Sequence, residues 1–293
     1  MKVHTLHIST FIIGSIFLLL SIYQAILLRY PHFYTSFALG SWLVLDFIDY
    51  KLNRYSILGY FFQHKHRYAF WLFLTTTTVM CFIVDYLWGV HVVGMWEWIH
   101  YKPIHFVRMY VVMNASFILG MYELFRVVRT ILKNNFHFDD ISLIKFQFHD
   151  GNRGRFYIYC LLFGIIGLIV PGYVLIFNTT LFIEYAMLFP FVSLILISDS
   201  ITYLTGGKPI IDDIVHLKKL DFISLIATSL SAAVVTEILN LFGNEWRYVA
   251  MPLSSFSIMG IPIAVFIGWI PLVTGSVAIV NMVKHLDYKI VTK

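Results

Sequence analysis

Charged residues are scarce in this sequence, and those present are bunched between long apolar runs. Only 13% of the residues are charged, whereas 59% are hydrophobic. Because soluble domains carry about 25% charged residues, this composition argues against a soluble globular protein. The composition instead predicts an all-α integral membrane protein with several transmembrane helices.

Cysteine is almost absent, and the motifs of soluble cofactor enzymes are missing. Cys81 and Cys160 both fall in predicted spans, which excludes a disulfide framework. No P-loop, GxGxxG or GxSxG motif occurs, so no cofactor is predicted. His91, His100 and His105 lie on the outer side, but their spacing matches no zinc motif, and no metal is predicted.

Eight stretches are long and apolar enough to be candidate spans, although the second is short and contains two acids. They are roughly residues 6–28, 33–49, 68–88, 104–125, 156–177, 181–204, 221–242 and 260–282. No small-residue cleavage site follows the first, so it is interpreted as an uncleaved span. Residues 247–259 are expected at the interface before the eighth span.

The distribution of Lys and Arg predicts the orientation. With the N-terminus in the cytoplasm, Arg29, Lys102 and Arg247 lie outside, Arg108 lies within the fourth span, and the other 17 of the 21 lie inside. This asymmetry predicts a multi-pass protein of the cell membrane with both termini cytoplasmic. The net charge of +5 is explained by the Lys and Arg residues of these inner loops. Nucleic acid is therefore not a predicted partner.

Polar positions recur along the chain and predict an internal duplication. Asp46 recurs as Asp199 after 153 positions, and Asp85 recurs as Glu237 after 152. Four spans per repeat would place both repeats in the same orientation, related by an axis along the membrane normal. The alternative is chance matching among apolar residues. The predicted units are a first repeat 1–130, a cytoplasmic linker 131–155 and a second repeat 156–293.

Ionisable groups inside spans are costly and therefore mark candidate functional sites. Five carboxylates qualify: Asp46, Asp49, Asp85, Asp199 and Glu237. Three of them, Asp46, Asp49 and Asp199, lie near the inner ends of their spans. These three are expected to cap helices or to pair with inner Lys and Arg, with a functional role as the alternative.

Glu237 is the leading candidate for a catalytic acid, and Asp85 is its counterpart in the first half. Burial disfavours the charged form of a carboxylate, and a neutral buried acid is a proton donor. Asn240 lies one turn beyond Glu237 and is expected to hold it by a hydrogen bond. The alternative is a polar clamp that only joins helices.

The outer loops are rich in aromatic residues. Trp98 and Tyr101 in the first half, with their counterparts in the second, are expected to form either a lid over a cavity or an aromatic belt. Arg108 is expected to pair with Asp85 or Glu97, or to bind an anionic lipid headgroup.

A group of residues in the second half carries a family resemblance. The group consists of Glu237, Gly243, Tyr248, Gly260-Ile-Pro262 and Trp269. It resembles membrane carotenoid-biosynthesis proteins, namely the carotenoid hydratase family and, more distantly, the heterodimeric-type lycopene cyclases. The chain is also similar to uncharacterised bacterial multi-span proteins with Trp-Glu-x2-Asn followed by Trp-x-Tyr, although Thr236 replaces the first Trp.

The carotenoid resemblance implies acid catalysis on an isoprenoid double bond. Glu237 would protonate the alkene, Asn240 would orient it, and Asp85 would be the matching acid. Aromatic faces would stabilise the carbocation. The residues expected to contact substrate are Trp98, Tyr101, Arg108, Trp246, Tyr248 and Trp269.

Two other functions remain open at this point. A proton- or cation-coupled transporter or channel would place the acids on a polar path reaching both faces, whereas a non-catalytic scaffold would bury them in satisfied pairs. A lipid enzyme would instead have an apolar side opening that ends at a carboxylate. The predicted partners are membrane lipids and a lipid-soluble small molecule.

Overall fold

The structure is a computed structural model that is almost entirely helical. It describes residues 3–30, 32–138, 141–142, 152–177 and 185–291. Apart from helices, the described residues form two small antiparallel sheets of two strands each. The prediction of an all-α protein is therefore confirmed.

Within the described ranges, the α-helices form two sets of five. The first set is α1 (Val3–Ile22), α2 (Phe33–Asn53), α3 (Ile57–Phe62), α4 (Arg67–Cys81) and α5 (Asn114–Asn135). The second set is α6 (Asn152–Ile176), α7 (Leu188–Leu204), α8 (Ile210–Val215), α9 (Lys219–Gly243) and α10 (Ile263–Val291). Wider π-helical stretches continue α1 over Tyr23–Leu27 and α4 over Phe82–Val92, and another precedes α5 over Val107–Met113.

Six helices among the described residues are long and apolar enough to cross a bilayer. They are His7–Leu27, Arg67–Val92, Pro103–Asn135, Asn152–Tyr173, Lys219–Gly243 and Ile263–Val291. The helix α7 is apolar but shorter, and α2 contains Asp46 and Asp49. These helices fit a membrane protein.

The helices α5 and α10 form the centre of the bundle. The helix α2 packs on α5 and α7 packs on α10, while α1 covers α2 and α6 covers α7. Large apolar side chains on the outer helices face outward, as with Leu19 (68% exposed) and Phe163 (65% exposed). In water such exposure would be unfavourable, but it suits contact with lipid tails.

The two ends of the bundle carry different structures. One end, called here the outer end, carries a ribbon in which β1 (Trp96–Trp98) pairs antiparallel with β2 (Trp246–Tyr248). A second hairpin there joins β3 (Ser257–Ile258) to β4 (Ile261–Pro262). The opposite end, called the inner end, carries the short helices α3 and α8.

Matching contacts occur in both halves at the inner end. Asp46 Oδ1 accepts a hydrogen bond from the backbone N–H of Leu58 at 3.0 Å, and Asp199 Oδ2 accepts one from Ile211 at 2.6 Å. The second contact lies 153 positions after the first. Stacked rings also match, since His7 stacks on Tyr50 at 3.7 Å and Tyr157 stacks on Tyr203 at 4.2 Å.

Glycines allow the outermost helix of each half to approach its neighbour closely. A Cβ added at Gly40 on α2 would lie 2.7 Å from the backbone N of Leu18 on α1. A Cβ added at Gly167 on α6 would lie 2.4 Å from Ser193 Oγ on α7. Small residues at such positions let helix backbones pack tightly in a membrane.

Some predicted boundaries differ from the structure. The last helix begins at Ile263, because Gly260 has a φ of +81° and turns the chain between β3 and β4. Gly260 and Pro262 therefore lie in a hairpin before the helix rather than in the eighth span. The helices α5 and α6 extend into the predicted linker, and most of the residues between them lie outside the described ranges. The predicted span 181–204 is described from residue 185 onwards.

Candidate functional site

An apolar cavity of about 370 Å³ lies in the outer half of the bundle. Both leading acid candidates, Asp85 and Glu237, line it. Its volume falls within the range of about 300–1,000 Å³ typical of small-molecule sites. Its aromatic lining includes Tyr34, Trp96, Trp98, Trp246, Tyr248 and Trp269. We call this space the outer cavity.

The outer cavity reaches the surface of the bundle. Four of its lining residues are themselves exposed: Tyr185 and Leu188 near the start of α7, Leu253 before β3, and Ile267 on α10. All four are bulky, and three are purely aliphatic. A mouth of this composition faces lipid tails more readily than water.

Glu237 projects from α9 into the outer cavity and is only 2% exposed. The Tyr248 hydroxyl donates a hydrogen bond to Glu237 Oε1 at 2.7 Å, and Trp246 Nε1 donates to the same hydroxyl at 3.1 Å. Glu237 Oε2 is buried and accepts no hydrogen bond of normal geometry among the described residues, although the Trp269 side chain is a nearby donor to the same carboxyl group. One oxygen of the carboxyl group is thus fixed by Tyr248, while the other borders the cavity.

Tyr248 lies in β2, beyond the end of α9, and acts there as a donor. Burial, followed by the charge of the neighbouring Glu237 carboxylate, raises the pKa of the Tyr248 hydroxyl well above its usual value. The hydroxyl therefore keeps its proton across the physiological range. Its role in this geometry is to position Glu237 rather than to remove a proton.

Asp85 lies in the π-helical stretch that continues α4. Trp96 Nε1 donates a hydrogen bond to Asp85 Oδ1 at 2.7 Å. The indole ring fits because residue 89 is glycine, where an added Cβ would lie 2.1 Å from Trp96 Cζ2. Wider helical turns of this kind are frequent at functional sites.

The β1–β2 ribbon closes the outer end of the cavity and carries the donors to both acids. Trp96, which contacts Asp85, lies directly opposite Tyr248, which contacts Glu237. The next pair along the ribbon is an ion pair between Arg247 and Glu97. The ribbon therefore covers the outer end of the cavity, and the choice between a lid and an aromatic belt stays a prediction.

Asn240 does not have the predicted role. Its Nδ2 donates to the Trp246 carbonyl at 2.9 Å, and its Oδ1 accepts from the backbone N–H groups of Glu245 and Trp246 at 3.0 and 3.2 Å. Asn244 has left-handed backbone torsion angles and reverses the chain after α9. The Asn240 side chain satisfies the backbone hydrogen-bonding groups of the turn that results. Tyr248, not Asn240, holds Glu237.

Arg108 and Tyr101 lie beside the outer cavity and do not appear in its described lining. Arg108 contacts Glu245 at 3.5 Å, rather than Asp85 or Glu97 as expected, and its other partners are Thr35 and His32. The Tyr101 ring lies 6.0 Å from that of Tyr86. Trp98, Trp246, Tyr248 and Trp269, in contrast, line the cavity, and their contact with a substrate stays a prediction.

The acids predicted near the inner ends are fully buried and partnered. Asp46 accepts from Ser56 Oγ at 2.7 Å in addition to its backbone donor, and Asp49 pairs with Arg126 at 2.7 Å. Asp199 accepts from the backbone at the start of α8. Each therefore caps or pairs at the inner end, as the first interpretation expected.

Two residues at these sites escaped the sequence reasoning. Tyr34, at the start of α2, lines the outer cavity but carries no distinguishing signal among 18 tyrosines. Glu123 is fully buried and accepts from the backbone N–H of Ile57 at 3.1 Å. Glu123 lies within the predicted fourth span, so the search for acids inside spans would have identified it.

The outer histidines do not converge on one point. His91 packs edge-on against the Tyr86 ring at 4.2 Å, whereas His105 packs against His32 at 4.8 Å. Across the described residues, no group of three or more His, Cys, Asp or Glu side chains is placed to hold a metal ion.

Comparison with known proteins adds no relative. No family model, no curated protein and no solved structure matches the chain. The arguments for function therefore come from the geometry of the outer cavity and the inner end.

Replacing Tyr248 by phenylalanine tests how Glu237 is positioned. The change removes one hydroxyl and should leave the ribbon paired. If Glu237 acts on a substrate, we expect kcat to fall about tenfold with KM nearly unchanged, because one oriented hydrogen bond is lost. Phenylalanine at Tyr101, outside the cavity, is the matched control. Equal kinetic constants for Tyr248→Phe and the wild type would contradict the positioning role.

Proposed function

We propose that the chain is an intramembrane enzyme that protonates a double bond of a lipid-soluble, isoprenoid-like substrate. The observation that carries this proposal is the outer cavity, in which the buried Glu237 and the partly buried Asp85 share one apolar, aromatic-lined space with a mouth at the surface of the bundle. Such a mouth admits a hydrocarbon from the bilayer without passage through water. No cofactor is needed for this chemistry.

The reaction assigns a step to each part of the site. The proton of Glu237 transfers to one carbon of the alkene, which leaves a carbocation on the other carbon. The faces of Trp98, Trp246 and Trp269 are close enough to share that charge by cation–π attraction. Water then adds and loses a proton, or a second double bond adds and a neighbouring carbon loses a proton. Both routes release one proton in the site, which replaces the proton that Glu237 transferred.

Asp85 is assigned as the second proton-transferring group in the same cavity. Its donor Trp96 and the Glu237 donor Tyr248 face each other across the ribbon. With one acid protonated and the other ionised, the pair can supply a proton at one point and remove one at another. A substrate of moderate length can contact both.

The scaffold alternative is less well supported by this geometry. A scaffold would bury its outer acids in fully satisfied pairs beside a filled core. Glu237 Oε2 instead accepts no hydrogen bond of normal geometry among the described residues and borders a cavity. Within the described ranges, Asp199 Oδ1 and Glu123 Oε2 accept no hydrogen bond either, so the adjoining outer cavity is what distinguishes Glu237.

One observation favours a transporter as the second candidate. Ser276 on α10 lines the outer cavity, and the next residue, Val277, lines a separate polar cavity at the inner end. Two cavities toward opposite ends of the bundle, both lined by the same helix, are what alternating access requires. A carrier would move protons across proteoliposomes, whereas the proposed enzyme would not.

The proposal also includes the complete membrane topology. We propose eight spans, formed by the six long helices with α2 and α7, as two parallel four-span repeats with both termini cytoplasmic. The matched contacts 153 positions apart and the paired positions of Trp96 and Tyr248 support the duplication. In this topology the outer cavity faces away from the cytoplasm.

Reaction in D2O tests the proposed chemistry. Purified protein in liposomes is supplied with lycopene as an acyclic polyene probe, and products are analysed by mass spectrometry after back-exchange in H2O. Protonation of carbon should leave one non-exchangeable deuterium per turnover, with or without the mass of one water. Protein heated until unfolded is the control. Conversion of lycopene without deuterium would contradict the mechanism.

A further inference from the structure

A second cavity, of about 480 Å³, lies at the inner end of the bundle and is polar. It is bordered by the C-terminal parts of α5 and α10, by α8 and by the start of α9. Its charged lining residues are Arg126, Arg129, Lys208, Lys284, Asp213 and Asp221. We call it the inner cavity.

Four of the side chains that line the inner cavity are cationic and two are carboxylates, counted over the described residues. Arg126 pairs with Asp49 and also lies 3.9 Å from Glu123, and Arg129 pairs with Asp221. Asp213 contacts Lys208 at 3.0 Å and Lys218 at 2.5 Å.

Lys284 differs from the other cationic side chains of the inner cavity. Within the described ranges, no carboxylate lies within ion-pair distance of its ammonium group. The Nζ atom donates to the Tyr122 hydroxyl at 3.0 Å and lies 4.4 Å from the centre of the Tyr55 ring. Tyrosine faces and a hydroxyl hold the ammonium in place but do not neutralise it. The group is therefore positioned and still able to bind an anion.

The corresponding place in the other half is arranged differently. The helix α3, which precedes α8 by 153 positions, packs near the C-terminal part of α10. There Asp287 supplies a buried carboxylate that accepts from the Tyr60 hydroxyl at 2.6 Å and contacts His66 Nδ1 at 2.5 Å. A carboxylate of the chain thus sits among polar groups in one half, whereas an open, cationic cavity remains in the other.

We propose that the inner cavity binds a phosphate-bearing anion. Cationic side chains outnumber carboxylates among the described lining residues, and Lys284 offers an ammonium group that no described carboxylate pairs, so the cavity favours an anion. Ammonium and guanidinium groups form strong charge-assisted hydrogen bonds with phosphate oxygens. The phosphate can belong to a lipid headgroup or to a small soluble molecule, since both present the same oxygens. This site is separate from the acids of the outer cavity and does not depend on their chemistry.

Inorganic pyrophosphate is the soluble probe for this site. Calorimetric titration of the full-length protein in a zwitterionic detergent at low ionic strength should detect saturable binding. Lys284→Gln should weaken it about tenfold, because one charge-assisted hydrogen bond is lost. Lys289→Gln is the matched control, since Lys289 lies on the same helix, is exposed and does not line the cavity. Equal weakening by both substitutions would overturn the site.

A second variant moves binding in the opposite direction. Asp213→Asn removes the carboxylate that Lys208 and Lys218 share, and pyrophosphate should then bind more tightly by about tenfold. Unchanged affinity in Asp213→Asn would contradict the proposal even if Lys284→Gln were poorly folded. Thermal unfolding of each variant reports whether the bundle is intact.

Nanodiscs distinguish the two sources of phosphate. If the ligand is a lipid headgroup, nanodiscs containing phosphatidic acid should abolish pyrophosphate binding, whereas phosphatidylcholine nanodiscs should retain it. If the ligand is soluble, pyrophosphate should bind equally in both. Failure to bind pyrophosphate in phosphatidylcholine, with no enrichment of phosphatidic acid around the wild type over Lys284→Gln, would overturn the proposal. None of these results depends on turnover at Glu237.

Discussion

Replacing Glu237 by glutamine is expected to reduce conversion of a polyene by about 10²–10⁴-fold, the usual contribution of a general acid. Glutamine has the same shape, and its amide oxygen can still accept the hydrogen bond from Tyr248. The cavity and the ribbon should therefore remain in place. Only the transferable proton is lost, which makes this substitution the most direct test of the proposed chemistry. Deuterium incorporation from D2O is the measurement.

Glu97→Gln is the control for this experiment. Glu97 lies on the same ribbon but pairs with Arg247 at the surface, away from the described lining of the outer cavity. Its replacement should leave conversion nearly unchanged. Full conversion by Glu237→Gln would remove Glu237 from the mechanism. If Asp85→Asn alone lost all deuterium incorporation, Asp85 would become the proton donor instead.

Asn240→Leu should cause a large loss of stability. The leucine side chain has a similar size but cannot replace three hydrogen bonds at the turn after α9. Two backbone N–H groups and one carbonyl would lose their partner in a buried place, at about 1–3 kcal/mol each. We expect the free energy of unfolding to fall by about 3 kcal/mol or more. Thermal unfolding followed by tryptophan fluorescence provides the measurement.

The same variant should also impair the outer cavity. The turn that Asn240 holds leads directly into β2, which carries Trp246 and Tyr248. Asn135→Leu, at the exposed end of α5, is the control and should leave the unfolding temperature almost unaffected. An Asn240→Leu protein as stable as the wild type would show that the turn does not need the amide.

Most of the helical architecture follows from the sequence because lipid imposes a simple rule. A segment without water must satisfy its backbone groups internally, so a long apolar run becomes a helix. The short interruptions are harder to predict. Gly260 and Pro262 lie in an apolar stretch, yet the positive φ of Gly260 turns the chain before α10 begins.

The acids of the outer cavity were predictable, but their partners were not. Asp85 and Glu237 are marked by the cost of placing a carboxylate in a span. Asn240 is on the same helical face as Glu237, so periodicity alone suggested contact. That argument fails because α9 ends three residues later, and the backbone groups of the following turn form hydrogen bonds with the Asn240 amide.

The contacts of Tyr248 and Trp96 with the two acids were not predicted, because these contacts depend on long-range pairing. Each lies 11 residues from the carboxylate it contacts, and each reaches it only after the chain has reversed direction. Their arrangement further depends on β1 pairing with β2 across 152 positions. Patterns within a single helix contain no information about such a contact.

The β1–β2 ribbon has a consequence for the ancestry of the chain. Each half contributes one strand, and a strand alone would leave its backbone donors unpaired. A single unit resembling one half could complete the ribbon only by pairing with an identical copy across a two-fold axis. The proposed duplication therefore has a homodimer as its natural precursor. Fusion into one chain would then have freed the two halves to diverge, as the unequal inner ends already do.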